Sequence, residues 1–139
     1  MFKKLVACIL LITGQIIFGP FAQAEEVPVR IQKALKPFKI QSIDFSSDVL
    51  RVVMRVPMIN WETYWAVSVI GVCSTLFDDK KTAARITKIE VLNDIDAQGY
   101  ALEDAGKTCL AIAPMYSEQT KKYIADHTVT CIAGNCRKR

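Results

Sequence analysis

Alternating apolar and polar side chains mark the clearest strand of this chain, over residues 49–56. Four apolar side chains point to one side and two arginines to the other: Leu50, Val52, Met54 and Val56 against Arg51 and Arg55. This period of two is typical of a strand with one buried face. Residues 40–45 precede it across the polar turn Ser46-Ser47-Asp48, so the pattern predicts a first β-hairpin.

A second hairpin is predicted from residues 86–92 and 99–103. Ile89 and Val91 share one face of the first of these strands, and Tyr100 and Leu102 share one face of the second. The connection between them is rich in Asn, Asp and Gly, the residues that favour turns.

The longest apolar run outside the N-terminus covers residues 60–79 and favours a central helix. Asn60 is a suitable N-cap, and an apolar stripe follows it at helical spacing. The stripe consists of Trp61, Trp65, Ser68, Val72 and Leu76. Small residues lie on the opposite face, where another element can approach closely. Because several residues between 67 and 72 are β-branched, a buried strand over residues 64–73 is the alternative.

Two shorter helices flank this pattern. Pro28 suits the first turn of a helix that ends at Pro37 and has Ile31 on its apolar face. The basic face of this helix is interpreted as solvated, with contact to anionic lipid or to a partner as the alternative. A second helix is predicted from a Ser117 cap through Asp126.

The order helix, hairpin, helix, hairpin, helix predicts the α+β class. The simplest arrangement is a disulfide-stabilised two-layer sandwich, in which an antiparallel sheet of about four strands packs against about three helices.

The first 24 residues have the pattern of a signal peptide. Two lysines at positions 3 and 4 precede an apolar segment over residues 5–19, and Ala22-Gln23-Ala24 has the form of a signal peptidase site. We therefore expect a single exported domain over residues 25–139, located in the periplasm or secreted. An uncleaved anchor is the alternative, since residues 5–22 are just long enough to span a bilayer.

Cysteine usage agrees with export. Removal of the leader leaves four cysteines, an even number that is typical of two disulfides in an oxidising compartment. A Gly-Asn dipeptide between the last two can form a tight bend, which favours Cys131–Cys136 and leaves Cys73–Cys109 as the second pair. Four cysteines allow three pairings, and a zinc site formed by all four is a further alternative.

The distribution of charge argues against a nucleic-acid partner. The full chain has 18 basic and 14 acidic residues, but five of the basic ones lie in the leader and in the C-terminal tail. The remaining body is close to neutral, and its local basic cluster lacks interleaved aromatic residues. Membrane contact is expected only through an uncleaved leader.

Candidate partner-binding residues are Trp61, Arg51 and Arg55. Trp61 is a large aromatic side chain at the start of the central helix. Arg51 and Arg55 lie on one face of a single strand, an arrangement that can grip an anion. Solvation of the outer face of the sheet is the alternative for both arginines.

His127 is the only histidine of the chain. Together with Ser117 and Asp126 it has the residue types of a nucleophilic triad, but adjacent residues on a helix point about 100° apart. We interpret His127 as a half-buried residue at a helix end, and we predict no catalytic residue.

The segment over residues 94–99 is similar to the first half of a calcium-binding loop. Asp94, Asp96 and Gln98 offer oxygen ligands, and Gly99 follows where a sharp bend is needed. The twelfth position, which requires a bidentate glutamate, is Ala105. We interpret the segment first as a hairpin turn and second as a weak calcium site, and we expect no other cofactor.

Together these features predict a non-enzymatic binding or accessory module of the cell envelope, with a protein partner. Two alternatives stay open. One is a small secreted hydrolase or enzyme inhibitor that uses His127, and the other is a weak calcium-binding module that uses residues 94–99.

Overall fold

The computed structural model describes residues 26–137. The predicted signal peptide, residues 1–24, lies outside this range. The strands are β1 (Ile40–Ser46), β2 (Val49–Met54), β3 (Lys88–Leu92), β4 (Gly99–Glu103), β5 (Thr128–Ile132) and β6 (Asn135–Cys136). The helical segments are α1 (Val29–Leu35), α2 (Trp61–Trp65), a π-helix (Ala66–Cys73), α3 (Ser74–Leu76), α4 (Lys80–Ala83), α5 (Ala105–Ile112) and α6 (Ser117–Asp126).

The six strands form one mixed sheet in the order β1-β2-β3-β4-β5-β6. The predicted hairpins β1–β2 and β3–β4 are both present and antiparallel. β2 and β3 are parallel neighbours, because the chain leaves β2, crosses one face of the sheet as a helix and returns beside β2. Parallel neighbours need a connection of at least a dozen or so residues, and residues 55–87 supply it.

The α+β class is therefore confirmed, whereas the prediction of about four antiparallel strands is wrong. The additional strands, β5 and β6, are short and lie at the C-terminal end of the described range. Five helices are present there if α2, the π-helix and α3 are counted as one continuous central helix. The two helices absent from the prediction are α4, which is a single turn, and α5, which begins directly after β4.

The central helix begins as predicted and then changes its winding. The Asn60 side chain accepts a hydrogen bond from the Thr63 amide at 2.8 Å. From Ala66 to Cys73 the helix widens to π geometry, so spacing based on 3.6 residues per turn does not persist. The later part of the predicted stripe is buried, but Trp61 and Trp65 are only half-buried and Tyr64 lies in the core instead.

Helices cover one face of the sheet. Alternate strand side chains form a buried cluster with them, which includes Leu50, Val52, Ile89, Val91, Leu102, Val67, Val72 and Cys109. Charged side chains on the other face include Arg51, Lys88, Glu90 and Glu103. A smaller apolar cluster lies on that face near the C-terminal hairpin and consists of Leu92, Ala101, Val129, Cys131 and Cys136.

Two disulfides join the cysteines in the predicted pairs. Cys73–Cys109 links the end of the π-helix to α5, and Cys131–Cys136 links β5 to β6. Within residues 26–137, no helix has both the length and the apolar character needed to cross a bilayer.

Candidate interaction surface

Four aromatic rings gather where the central helix begins. The first helical turns place Trp61, Tyr64 and Trp65 close together, because residues three and four apart are neighbours on a helix. Tyr100 of β4 completes the group. The ring centroid of Trp61 lies 5.3 Å from that of Tyr64 and 6.0 Å from that of Tyr100, the latter in an edge-on arrangement. These separations are those of favourable aromatic pairs.

Tyr64 anchors this group in the core. Its side chain is fully buried, and its hydroxyl donates to Thr128 Oγ1 at 2.8 Å. Thr128 accepts this bond because its own hydroxyl proton is donated to the carbonyl of Ile124 at 2.7 Å. Burial raises the pKa of Tyr64 to about 12, so the phenol stays neutral at ordinary pH. Tyr64 therefore holds the neighbouring rings in place and is itself inaccessible.

Two amide side chains fix the loop between β2 and the central helix. The side chain of Gln98 accepts from the amide of Ile59 at 2.7 Å and donates to the carbonyl of Ile59 at 2.9 Å. Asn93 donates to the carbonyl of Pro57 at 3.0 Å. Met58 lies between these two attachment points and is 70% exposed. The loop therefore presents Met58 from a backbone that is held on both sides.

β5 extends the same face of the sheet beyond the helices. Thr130 pairs with Tyr100 across the β4–β5 ladder, so both side chains lie on the helix side. Ile132, two residues further on, shares that side and is 53% exposed. We use the term aromatic surface for Met58, Trp61, Tyr100, Thr130 and Ile132. Met58 comes three residues before Trp61, and Ile132 lies on the same side of the sheet as Tyr100.

The two predicted arginines lie elsewhere. Arg51 Nε is 2.8 Å from Glu90 Oε2, and another of its nitrogens is 3.0 Å from Asp96 Oδ2. The hydrogen bond to Glu90, more than the other nearby carboxylates, raises the pKa of Arg51 above its usual range. Arg51 therefore forms ion pairs with carboxylates of its own chain, on the face of the sheet opposite Trp61. Arg55 is exposed, and its side chain has no hydrogen-bond or ion-pair partner within residues 26–137.

Two of the three predicted calcium ligands are bonded to other groups of the chain. Asp96 is paired with Arg51, and both polar atoms of the Gln98 amide are bonded to Ile59. Asp94 lies in the same turn, where its amide donates to the carbonyl of Val56. Among the residues that the structure describes, no group of three or more His, Cys, Asp or Glu side chains is arranged to hold a metal ion.

His127 lies at the C-terminal end of α6, half-buried, where the sequence analysis places it. Its Nδ1 is 2.7 Å from the carbonyl of Tyr123, and its ring stacks on the Tyr123 ring at 4.3 Å. Ser117 is the first residue of α6 and Tyr116 occupies the cap position, so the prediction of a Ser117 cap is wrong. Ser117 and His127 lie at opposite ends of this helix, roughly 15 Å apart along its axis, and Asp126 is paired with Lys122.

Of the residues in the aromatic surface, only Trp61 is predicted from the sequence as a partner-binding residue. Tyr100 is predicted to lie on one face of a strand, but nothing in the local pattern places it beside Trp61. Thr130 and Ile132 become part of the surface only because β5 pairs with β4. Comparison of the chain with protein-family models, with curated proteins and with solved structures gives no match.

Proposed function

We propose that this protein is an exported, disulfide-stabilised module that binds a protein partner of the cell envelope through the aromatic surface. In this role the module catalyses no reaction.

The exposure of the aromatic surface is the observation that carries the proposal. Met58 and Ile132 are largely exposed, and the rings of Trp61 and Tyr100 are half-buried. Aromatic residues and methionine are enriched at the centres of protein interfaces, and clustered exposed apolar side chains mark interaction sites. The backbone beneath the surface is held by Gln98 and Asn93, which lowers the entropic cost of binding.

Location in the cell envelope is supported by two independent features. Disulfides persist mainly in oxidising compartments, and both disulfides of this chain join cysteines that are almost fully buried. The signal-peptide pattern of residues 1–24 provides the second argument.

Site-specific photo-crosslinking in the native cell tests the proposal. A photoreactive benzoylphenylalanine is placed at Met58 in one variant and at Ile132 in another. We expect both variants to capture the same envelope protein, because the two positions flank one surface.

Tyr116 provides a matched control, since it is 83% exposed and lies between α5 and α6, outside the aromatic surface. The same photoreactive residue at position 116 should not capture that protein. Identical products from positions 58, 132 and 116, or none from 58 and 132, would contradict the proposal.

A further inference from the structure

The outer edge of β1 presents unpaired backbone groups. In the described part of the chain β1 is the first strand of the sheet, with β2 as its only neighbour. Ser47 and Asp48 both have positive φ, at 50° and 63°, and form a two-residue turn. Hydrogen-bonded and non-hydrogen-bonded pairs alternate from this turn along the hairpin. It follows that Ile43 and Phe45 direct their N–H and C=O groups away from β2, toward the open edge.

A groove of about 550 Å³ lies between this edge and α1. Its apolar lining is provided by Val27, Leu35, Phe38, Ile40 and Ile43. Gln32 and Lys36 line its α1 side. The groove therefore combines an apolar floor with a polar wall, directly beside the backbone groups of β1.

One basic side chain lies in the lining of the groove. Lys36 lines it, and Lys33 lies one helical turn earlier on the exposed surface of α1. Neither lysine forms an ion pair with any residue in the range 26–137. Arg30, on the other side of α1, is neutralised by Asp78 at 3.1 Å. Lys36 therefore places an uncompensated positive charge in the lining of the groove.

We infer that β1 receives an extended, acidic segment of a partner protein as a seventh strand of the sheet. The backbone of Ile43 and Phe45 supplies hydrogen bonds, the floor of the groove accepts alternate apolar side chains, and Lys36 attracts the carboxylates. This edge is far from β5 in the strand order of the sheet. The proposed binding at β1 therefore does not depend on the aromatic surface.

Amide hydrogen exchange of the isotope-labelled full chain tests the inference. The probe is an acetylated nonapeptide of alternating valine and glutamate. At saturating peptide we expect exchange at the Ile43 and Phe45 amides to slow by about tenfold or more. The Asp44 amide should not change, because it is already bonded to β2.

Two controls separate strand addition from nonspecific charge attraction. The same peptide with N-methyl groups on alternate residues keeps its side chains but loses backbone donors, and should give no protection. Lys36→Glu should weaken binding of the unmodified peptide by about tenfold. Lys107→Glu makes the same change in net charge at an exposed position of α5 and should alter binding by less than about twofold.

Three results would overturn the inference. The first is unchanged exchange at Ile43 and Phe45 in about 1 mM peptide. The second is equal protection by the N-methylated peptide. The third is slow exchange at both amides without peptide, which would mean that the edge is already covered: by a second copy if the protection depends on protein concentration, and by the chain itself if it does not.

Discussion

Tyr64 and its neighbours show how single polar atoms are accommodated in this core. The Tyr64 hydroxyl is bonded to Thr128, and the buried hydroxyl of Ser68 donates to the Tyr64 carbonyl at 2.6 Å. Thr108, also buried, donates to the carbonyl of Glu103. Within residues 26–137 every fully buried side-chain nitrogen or oxygen has such a partner. Removal of one partner should therefore lower the free energy of unfolding by a measurable amount.

Tyr64→Phe keeps the ring but removes the bond to Thr128. We expect the free energy of unfolding at pH 7 to fall by about 1 kcal/mol in urea denaturation. Tyr116→Phe, at an exposed position, should change it by less than about 0.5 kcal/mol. A Tyr64→Phe variant as stable as the wild type would show that the hydroxyl contributes nothing.

The raised pKa of Tyr64 adds a pH dependence. The neutral phenol is favoured in the folded state, so its stabilising effect is complete below the unfolded value of 10.0 and is lost as pH rises toward about 12. Between these values the wild type should lose stability more steeply than Tyr64→Phe. Parallel stability curves for the two proteins above pH 10 would contradict this assignment.

Asp79 gives a pH dependence of the opposite sign. It caps α4 by accepting from the Thr82 amide at 3.0 Å and from the Thr82 hydroxyl at 2.7 Å, and the amide bond is the main cause of its lowered pKa. The stabilisation is present above the ordinary value of 3.8 and is lost as pH falls below it. Asp79→Asn keeps an acceptor without the charge. Its urea midpoint should therefore fall less than that of the wild type between about pH 5 and about pH 2, and an equal fall would refute the role of this charge.

At the scale of elements, the helical layer depends on close approaches at glycine. A Cβ on Gly71 would lie 2.8 Å from a methyl carbon of Leu35, which shows how tightly α1 packs on the central helix. At Gly106 of α5, the atoms that a Cβ would meet belong to the backbone. A Cβ there would lie 1.8 Å from the carbonyl oxygen of Ala83, at the end of α4. A methyl side chain can shift slightly, whereas a backbone carbonyl moves only with its helix.

Gly106→Ala should therefore separate α5 from α4 and lower the free energy of unfolding by about 3 kcal/mol. Lys107→Ala, one residue along the same helix but exposed, should change it by less than about 0.5 kcal/mol. Urea denaturation measures both. If Gly106→Ala is no less stable than Lys107→Ala, the tight contact between α4 and α5 is not required.

At the scale of the whole molecule, the disulfides close loops of very different length. Cys73 and Cys109 are 36 positions apart and tie the central helix to α5, whereas Cys131 and Cys136 are 5 positions apart within one hairpin. The long link connects the central helix, which precedes β3 and β4 in the sequence, to α5, which follows them. The short link acts within a single supersecondary unit.

Replacing both cysteines of a pair by alanine should reveal this difference. From the chain-entropy model we expect a loss of about 4 kcal/mol for Cys73/Cys109 and about 2 kcal/mol for Cys131/Cys136. Chemical denaturation of the two double variants provides the comparison. A larger loss for the short loop would show that native packing, and not loop closure, dominates the effect.

Mass spectrometry of the protein isolated from its native cell tests the proposed location. We expect a chain that begins at Glu25 and contains no free thiol, because cleavage after Ala24 and oxidation of four cysteines both accompany export. An unprocessed chain whose cysteines are all free thiols would refute export.

The sequence by itself determined the features that depend on near neighbours. Alternation that begins at residue 49 and a polar turn before it produce the β1–β2 hairpin, although β2 ends at Met54 and not at residue 56 as predicted. The Asn60 side chain starts the central helix through a bond three residues away. The Cys131–Cys136 link closes a short bend for the same reason. Tertiary structure alone decided the parallel pairing of β2 with β3, the π winding of the central helix and the meeting of Arg51 with Glu90, which are 39 positions apart. It also placed Trp61 beside Tyr100 and left Ile132 uncovered. These outcomes depend on which strands and helices become neighbours, and the periodicity of a local segment does not encode that choice.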